Sequence, residues 1–214
     1  MAYTGWSNSN KVRLSSGLIT ATPLSISCAY YASSLGSFKT LISLCNSGAA
    51  QDRNLFALKV NSADQASAEA ATGAGIWNGA SSTSVVAGWN FVAGVWASST
   101  SRSGFVNGGG KGTGTNSATP SSINRMTVGS QDNAGSGQPT ASGDRIAEVG
   151  VWNVALSDEE IAALGKGISP LLVRPQSLVA YLPLIRDLVD PKGNAFAVVG
   201  SLSAADHAPI YGVS

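Results

Sequence analysis

The sequence predicts an all-β protein: a two-sheet antiparallel β-sandwich of the jelly-roll type, with one short helix near residues 158–164. Two observations carry this prediction. Short runs of alternating residues recur along the chain, and clusters of Gly, Ser, Asn and Asp separate them, which is typical of many short strands joined by tight turns. A chain of 214 residues is also long enough to form one large sandwich domain.

The run from Leu24 to Tyr30 shows the alternation most clearly, because its large side chains all fall on one face and its small ones on the other. One face of this strand should therefore meet a core. The same criterion predicts strands at Thr40–Leu44, Leu55–Val60, Ser84–Val86, Asn90–Ala97, Gly104–Asn107, Arg125–Val128, Ile146–Trp152 and Leu178–Leu184. The predicted core contains Leu24, Ile26, Cys28, Leu41, Leu55, Phe91, Val95, Ile146, Val149 and Leu178.

The helix has clear signals at its start. Ser157 is a good N-cap, and Glu160 three residues later completes a capping box. Gly165 is predicted to end the helix as a left-handed residue, which leaves Ile161 and Leu164 on one apolar stripe.

Two segments are predicted to be loops, Asp64–Gly75 and the glycine-rich run Gly108–Thr115. The glycine-rich run does not match a phosphate-binding loop, because Phe105 stands where the first glycine is required and Gly112 where Ser or Thr is required. We interpret it as a lengthened turn between strands.

The domain prediction is a jelly roll over residues 1–170, with residues 171–214 adding a strand and an extended tail packed on the same domain. Cys28 and Cys45 lie 17 positions apart in apolar runs. Two buried free thiols on neighbouring strands are the favoured interpretation and a disulfide is the alternative.

The charge balance excludes several classes of partner. The 13 Lys and Arg residues face 12 Asp and Glu, and no basic run is present, so neither nucleic acid nor a membrane surface is expected as a partner. The first residues lack the apolar stretch of a secretory signal. We therefore expect a protein that is made and kept in a cytoplasm, or released from it by lysis.

No catalytic, metal or cofactor site is predicted. His207 stands in a proline-flanked tail, and no nucleophile elbow is present to serve as its partner. Asp144 and Glu148 would be about 13 Å apart on one strand, which is too far for a glycosidase pair. Asp132 and Asn133 could offer oxygen atoms to calcium, but a dense acidic set is missing.

A ligand-binding site is predicted on loops that carry aromatic, amide and charged side chains. Trp77 lies among Gly, Asn and Ser, where it would either stack on a sugar or cover an edge of the core. Hydroxyl groups of a sugar would bind amide and charged groups nearby. The predicted ligand-binding residues are Trp77, Asn78, Lys111, Asp132 and Asn133.

Two stretches resemble a known family. The pair Gly88–Trp96 and Gly104–Gly108 is similar to the central strand pair of laminin-G-like, concanavalin A-like jelly rolls. Gly143–Asn153 with Ala155–Ile161 resembles the strand and helix that close those domains. The resemblance implies an antiparallel two-sheet sandwich. It does not select an activity, because that family includes lectins, adhesion modules, glucanases and phage proteins, and the acid pattern of the glucanases is missing.

The functional hypothesis is a non-enzymatic virion protein of a bacteriophage, either a capsid-decorating or a tail-fibre module, located in the virion. Its expected partners are other virion proteins and further copies of itself, in a closed homo-oligomer such as a trimer. The alternative is a lectin-like adhesion module that binds surface glycans. A glycan hydrolase, with acids that meet only in the fold, is the competing enzymatic hypothesis.

Overall fold

The computed structural model describes residues 2–50, 53–73, 75–132, 139–185 and 188–208. Within these residues the chain forms two antiparallel sheets that enclose a common core, and one α-helix lies outside them. The predicted all-β sandwich with a single short helix is confirmed.

The first sheet consists of β1 (Ala2–Thr4), β3 (Leu24–Ala32), β8 (Gly88–Ser98), β9 (Ser101–Val106), β10 (Gly109–Gly114), β12 (Arg145–Trp152), β13 (Leu178–Leu182) and β15 (Ser203–Ala205). Strands are numbered in chain order across both sheets. The order in space is β10-β9-β8-β3-β12-β1-β15, and β13 pairs with the C-terminal half of β12. β12 therefore contacts three other strands of this sheet.

The second sheet consists of β2 (Lys11–Leu14), β4 (Lys39–Cys45), β5 (Leu55–Val60), β6 (Gln65–Ala71), β7 (Ile76–Ser84), β11 (Arg125–Val128) and β14 (Ala197–Val199). Its order in space is β14-β2-β11-β4-β5-β6-β7. The part of the chain after residue 170 thus adds strands to both sheets, because β13 and β15 belong to the first sheet and β14 to the second.

The main core lies between the sheets. β3 contributes Leu24, Ile26 and Cys28, which have no exposed surface, and the second sheet contributes Leu44 and Phe56. Nine of the ten predicted core residues are buried, although Leu55, Val95 and Leu178 belong to smaller clusters outside the main core. Phe91 is the exception, because it lies partly buried on the outer face of the first sheet.

A second core lies between the outer face of the first sheet and helix α1 (Asp158–Gly165). Val95 and Trp152 supply the sheet side, and Ile161 and Leu164 the helix side. The indole Nε1 of Trp152 donates a hydrogen bond of 2.7 Å to the carbonyl oxygen of Val173. The packing of these apolar side chains places the helix on one half of the sheet face.

The capping box of α1 is confirmed. The Ser157 hydroxyl accepts from the backbone N–H of Glu160 at 3.3 Å, and the Glu160 carboxylate accepts from the backbone N–H of Ser157 at 2.8 Å. The helix ends at Gly165 as predicted, but the predicted left-handed conformation of this residue is wrong, because Gly165 is helical and Gly167 takes the left-handed conformation at φ +87°. Gly165 is needed for space instead, since a Cβ there would lie 2.5 Å from the backbone of Gly108.

Both predicted loops contain strands. β6 lies within Asp64–Gly75, and its alternate alanines reach the main core. Alanine has a low strand propensity, so the alternation of this segment did not predict a strand. β10 occupies most of Gly108–Thr115, whereas the predicted strand Ser84–Val86 is wrong because β7 ends at Ser84.

The glycines of β9, β10 and β7 allow the two sheets to touch at one edge. A Cβ on Gly104 would lie 2.2 Å from the carbonyl oxygen of Ala66, and one on Gly79 would lie 2.5 Å from that of Arg102. A Cβ on Gly110 would meet the hydroxyl of Thr83. Backbone therefore packs directly on backbone where the sandwich closes.

From this backbone contact we predict the effect of Gly104→Ala on stability. The added methyl group would meet backbone atoms that cannot move independently, so we expect the free energy of unfolding to fall by about 1–3 kcal/mol. Gly109→Ala on β10 is the matched control, because a Cβ there meets nothing within 4 Å, and its effect should stay within about 0.5 kcal/mol. Urea unfolding of both variants measures the difference, and equal stabilities would contradict the close approach.

Cys28 and Cys45 are free and buried, as the favoured interpretation predicted. They do not lie on neighbouring strands, because β3 belongs to the first sheet and β4 to the second. Burial raises the pKa of the Cys28 thiol, so this group is held in its neutral form. Within the described residues, no helix is long and apolar enough to cross a membrane.

Candidate functional site

An open cavity of about 250 Å³ lies on the outer face of the first sheet, beside the end of α1. The lining includes two aromatic side chains, an amide, a carboxylate, an ammonium group and the C-terminal segment, which is residues 206–208 after β15. Among the residues that line the cavity are Trp89, Phe91, Asn107, Glu148, Lys166 and Ala208.

Strand register explains why the cavity forms at this point. Trp89 lies opposite Tyr31, and two residues further along β8 Phe91 lies opposite Ala29. Ala29 is in turn paired with Ala147 on β12. Ala29 lines the cavity, and its small side chain leaves a shallow floor next to the two large rings. The second core fills the other half of this face.

Trp89 is the aromatic wall of the cavity. Its ring contacts the ring of Tyr31 edge to face, with 5.6 Å between centroids, and the guanidinium of Arg145 lies 4.5 Å from the centroid of Tyr31. These neighbours restrict the orientation of the indole while leaving the side chain partly exposed. The ring is therefore available for stacking.

Glu148 enters the cavity through a β-bulge. The pairing of β12 with β3 shifts between Ala147 and Gly150, and Glu148 takes a φ of +52° in the shifted segment. Its carboxylate accepts a hydrogen bond of 2.5 Å from the hydroxyl of Tyr181. Burial and this carboxylate raise the pKa of Tyr181, so the tyrosine remains a neutral donor.

His207 holds the C-terminal segment against Glu148. Its Nε2 lies 3.3 Å from a carboxylate oxygen of Glu148 and 3.1 Å from the carbonyl oxygen of Pro183, and its Nδ1 lies 2.9 Å from that of Ala208. Burial alone would lower the pKa of His207, but Glu148 and the two carbonyl groups outweigh it and raise the pKa. Ala208, the next residue, lines the cavity.

Comparison with protein-family models finds a match over residues 7–162 to the concanavalin A-like lectin/glucanases superfamily. The chain belongs to this superfamily. The resemblance inferred from the sequence is thereby confirmed. No curated protein sequence gives a significant match to the chain.

Solved structures of this fold are similar to the chain at low sequence identity. The native heptameric SAP-like pentraxin from Limulus polyphemus has a TM-score of 0.63 and 14% identity, covering 91% of this chain and 87% of the pentraxin. The CBM40 of Ruminococcus gnavus IT-sialidase, bound to α2,3-sialyllactose, has a TM-score of 0.55 and 19% identity, with 68% and 84% covered. Domain 4 of the arabinanase AbnA from Geobacillus stearothermophilus, in complex with arabinotriose, has a TM-score of 0.53 and 18% identity, with 72% of each chain covered.

Of the residues predicted to bind a ligand, Lys111 and Asp132 are described with their side chains, and these two neither line the cavity nor lie close together. Lys111 on β10 forms an exposed ion pair of 2.9 Å with Asp158 of the helix. Trp77 and Asn78 belong to β7 at one edge of the second sheet, and their side chains lie outside the described structure. Asp132 contacts β2 and β11 near the other edge. Asn133 lies outside the described residues, and the role of all five stays a prediction.

Asp132 forms ion pairs with three cationic side chains. Its carboxylate lies 3.1 Å from Lys11, 2.9 Å from Arg125 and 3.4 Å from Arg13. Burial alone would raise the pKa of Asp132, but these cations outweigh it and lower the pKa. One carboxylate thus joins β2, β11 and the segment that follows β11, which gives Asp132 a structural role.

This ion cluster makes a prediction about acid stability. A lowered pKa in the folded state stabilises the protein above the unfolded value of about 3.9, and this contribution is lost as the pH falls through the folded pKa. Asp132→Asn should lower the free energy of unfolding at pH 7 by about 1–3 kcal/mol and should reduce the loss of stability below pH ~4. Denaturant unfolding at several pH values measures both effects. Asp206→Asn is the control, since Asp206 is 94% exposed and should change neither.

The described residues of the cavity offer binding groups but not the pair of acids that glycoside hydrolysis needs. Among the described lining residues, Glu148 is the one carboxylate. Asp144 is buried elsewhere, where it accepts hydrogen bonds from Tyr30 and Ser33 and lies 3.7 Å from the ammonium of Lys39. The aromatic rings and polar groups that line the cavity suit recognition of a neutral polar ligand with apolar faces.

The sequence did not predict this site, because the alternation of β8 placed Phe91 in the core. Residues 89, 91, 93 and 95 of β8 share one face, and both faces of this strand carry large apolar residues. Alternation could not show which face is open. The position of Glu148 depends on the bulge, whose left-handed residue is Glu148 itself and not a glycine, so the sequence does not mark it.

Proposed function

We propose that this protein is a non-catalytic carbohydrate-binding module that takes a sugar ring in the Trp89 cavity. The observation that supports the proposal most directly is the partly exposed indole beside an amide and a carboxylate in one cavity. A sugar presents C–H groups on its faces and hydroxyl groups around its edge. Aromatic rings match the faces, and convergent polar groups match the hydroxyls.

Each lining side chain has a place in this interaction. The ring faces Trp89, while the carboxylate of Glu148 accepts hydrogen bonds from hydroxyl groups. The amide oxygen of Asn107 already accepts from the N–H of Phe91 at 2.8 Å, which orients its NH₂ group as a donor. Lys166 adds an exposed ammonium group at the rim. The volume of about 250 Å³ is near the small end of ligand sites and suits one ring.

The comparisons support the class of ligand rather than its identity. The Ruminococcus gnavus module and the Geobacillus stearothermophilus domain hold sialyllactose and arabinotriose, which are different sugars. The same fold therefore accommodates more than one carbohydrate. Our proposal for this chain stops at the class of carbohydrates, and the absence of a second acid in the described cavity favours binding without hydrolysis.

The proposal predicts the effect of Trp89→Ala on glycan binding. A glycan array identifies the ligand, and titration calorimetry then compares the variants. We expect Trp89→Ala to weaken binding about tenfold or more, equivalent to ~1.4 kcal/mol, because the stacking surface is lost. Trp89→Phe keeps an aromatic face and should retain most of the affinity.

Val198→Ala is the control for this experiment, because Val198 is an exposed residue on β14 of the opposite sheet. It should bind the glycan as the parent does. Unchanged affinity in Trp89→Ala, or an array with no binding at all, would contradict the proposed function.

A second candidate function is assembly with further copies of the chain, as a capsid-decorating or tail-fibre module of a virion would require. The observation that favours it is an exposed apolar group at one end of the sandwich: Leu35, Phe38 and Val86. Asp64 brings their two loops together, because its carboxylate accepts from Gly36 at 2.8 Å and its carbonyl oxygen from Val85 at 2.7 Å. None of the solved structures named above is a virion protein.

The mass of the purified protein in solution tests this second candidate. We expect a closed oligomer such as a trimer that dissociates in Phe38→Asp, because a charge would be buried in the contact. Val198→Ala should leave the mass unchanged. A parent protein that stays monomeric at every concentration would exclude the apolar end as a contact between copies.

A further inference from the structure

We propose that the charged form of His207 is a positioning group for the cavity, which fixes the Glu148 carboxylate and keeps Ala208 in the cavity wall. This inference deepens the proposed function and rests on it. It assigns to the C-terminal segment a part in ligand binding and makes affinity depend on pH.

Both ring nitrogens of His207 face oxygen atoms that accept hydrogen bonds, so both nitrogens must carry a proton. Nδ1 faces the carbonyl oxygen of Ala208, and Nε2 faces the carbonyl oxygen of Pro183 and a carboxylate oxygen of Glu148. Carbonyl and carboxylate oxygens only accept hydrogen bonds. A neutral imidazole carries one N–H, so its other nitrogen would place a lone pair against an oxygen atom. Only the protonated ring satisfies every contact.

The surroundings favour this charge from each side. Among the described residues, Glu148 on β12 is the acid that contacts the ring, and Pro183 after β13 places its carbonyl oxygen against Nε2. On the segment of His207 itself, Asp206 lies 3.4 Å from Arg145, and the cation across the cavity is the exposed Lys166. Glu148 and His207 are both mostly buried, with 11% and 13% of their side chains exposed, so water screens the pair weakly.

The backbone conformation of Glu148 fixes the direction in which its side chain enters the cavity. Glu148 adopts a left-handed φ of +52° in the bulge, and its N–H donates to the same carbonyl oxygen of Pro183 that His207 contacts, at 3.4 Å. Tyr181 donates to the second carboxylate oxygen of Glu148. Tyr181 on β13, through its hydrogen bond, and His207 on the segment after β15, through its ion-pair contact, thus hold the carboxylate beside Trp89.

Loss of the proton undoes both effects of His207. With a raised pKa, the charged form is fully present below the ordinary value of about 6.5 and disappears as the pH rises through the higher folded value. One ring nitrogen then directs a lone pair at the oxygen atom it faces, and this contact becomes repulsive. The segment that carries Ala208 is released as a result. The Glu148 carboxylate then keeps the hydrogen bond from Tyr181 but loses its contact with a charged imidazole. Affinity for a sugar in the cavity should therefore decrease as the pH rises.

The first part of the test needs no ligand. His207 is the one histidine of the chain, so its imidazole proton signals in NMR report its titration directly. We expect a midpoint above about 6.5 and a fall in the hydrogen-exchange protection factors of residues 203–208 over the same pH range. Glu148→Gln should lower the midpoint. A midpoint at or below that of a free histidine, or protection that does not change with pH, would overturn the proposal.

The second part measures binding with α2,3-sialyllactose, arabinotriose and the best glycan from the array as probes. Affinity of the parent should fall at least about fivefold from pH 5.5 to pH 8.5, and His207→Gln should be flat with pH at the weaker level. Asp206→Asn, one residue away and exposed, is the control that keeps the parental pH dependence. Retention of the full pH dependence in His207→Gln would assign it to another group and overturn the role of His207.

The two parts separate the failure of this inference from failure of the proposed function. Binding of a glycan in the Trp89 cavity without any pH dependence overturns only the role of His207. If His207 titrates as expected but no glycan binds at any pH, the proposed function is overturned, and the positioning role in ligand binding with it.

Discussion

The bulge in β12 is the constraint on which the site depends. β12 pairs with β3 on one side and with β1 and β13 on the other, so its register fixes the centre of the first sheet. The shift between Ala147 and Gly150 inserts a residue into that register. A bulge turns side chains out of their regular alternation, and here it directs Glu148 to the cavity while Val149 remains in the main core.

The cavity exists because two packing requirements meet next to this bulge. Helix α1 must bury Ile161 and Leu164, and it does so over the half of the sheet face where Trp152 and Val95 lie. The other half carries the small residues Ala29 and Ala147 between larger neighbours. A helix that ends at Gly165, in contact with Gly108, closes one side of this space without filling it. The opening follows from where the helix stops.

Local patterns in the sequence predicted the parts of the fold that depend on local chemistry. Alternation located β3, β5 and β11, and the capping box located the start of α1, because each depends on residues close together in the chain. The glycine-rich β10 was taken for a loop because its glycines serve the contact with β7, a strand of the other sheet. The site was missed for the same reason. Trp89, Glu148 and His207 meet only through register, a bulge and a C-terminal pairing, none of which has a local signal.

The distribution of charge explains why aromatic and amide groups carry the proposed recognition. Many of the few charged residues of the chain are paired with one another inside the structure, as in Lys59–Glu69 and the group around Asp132. Such pairs fix strands and loops rather than attract a charged partner from solution. A surface with little free charge must bind through shape, stacking and hydrogen bonds, which are weakly sensitive to salt. Among the described residues of the cavity Glu148 is the acid, and the proton on His207 balances its charge while its carboxylate oxygens accept from hydroxyl groups.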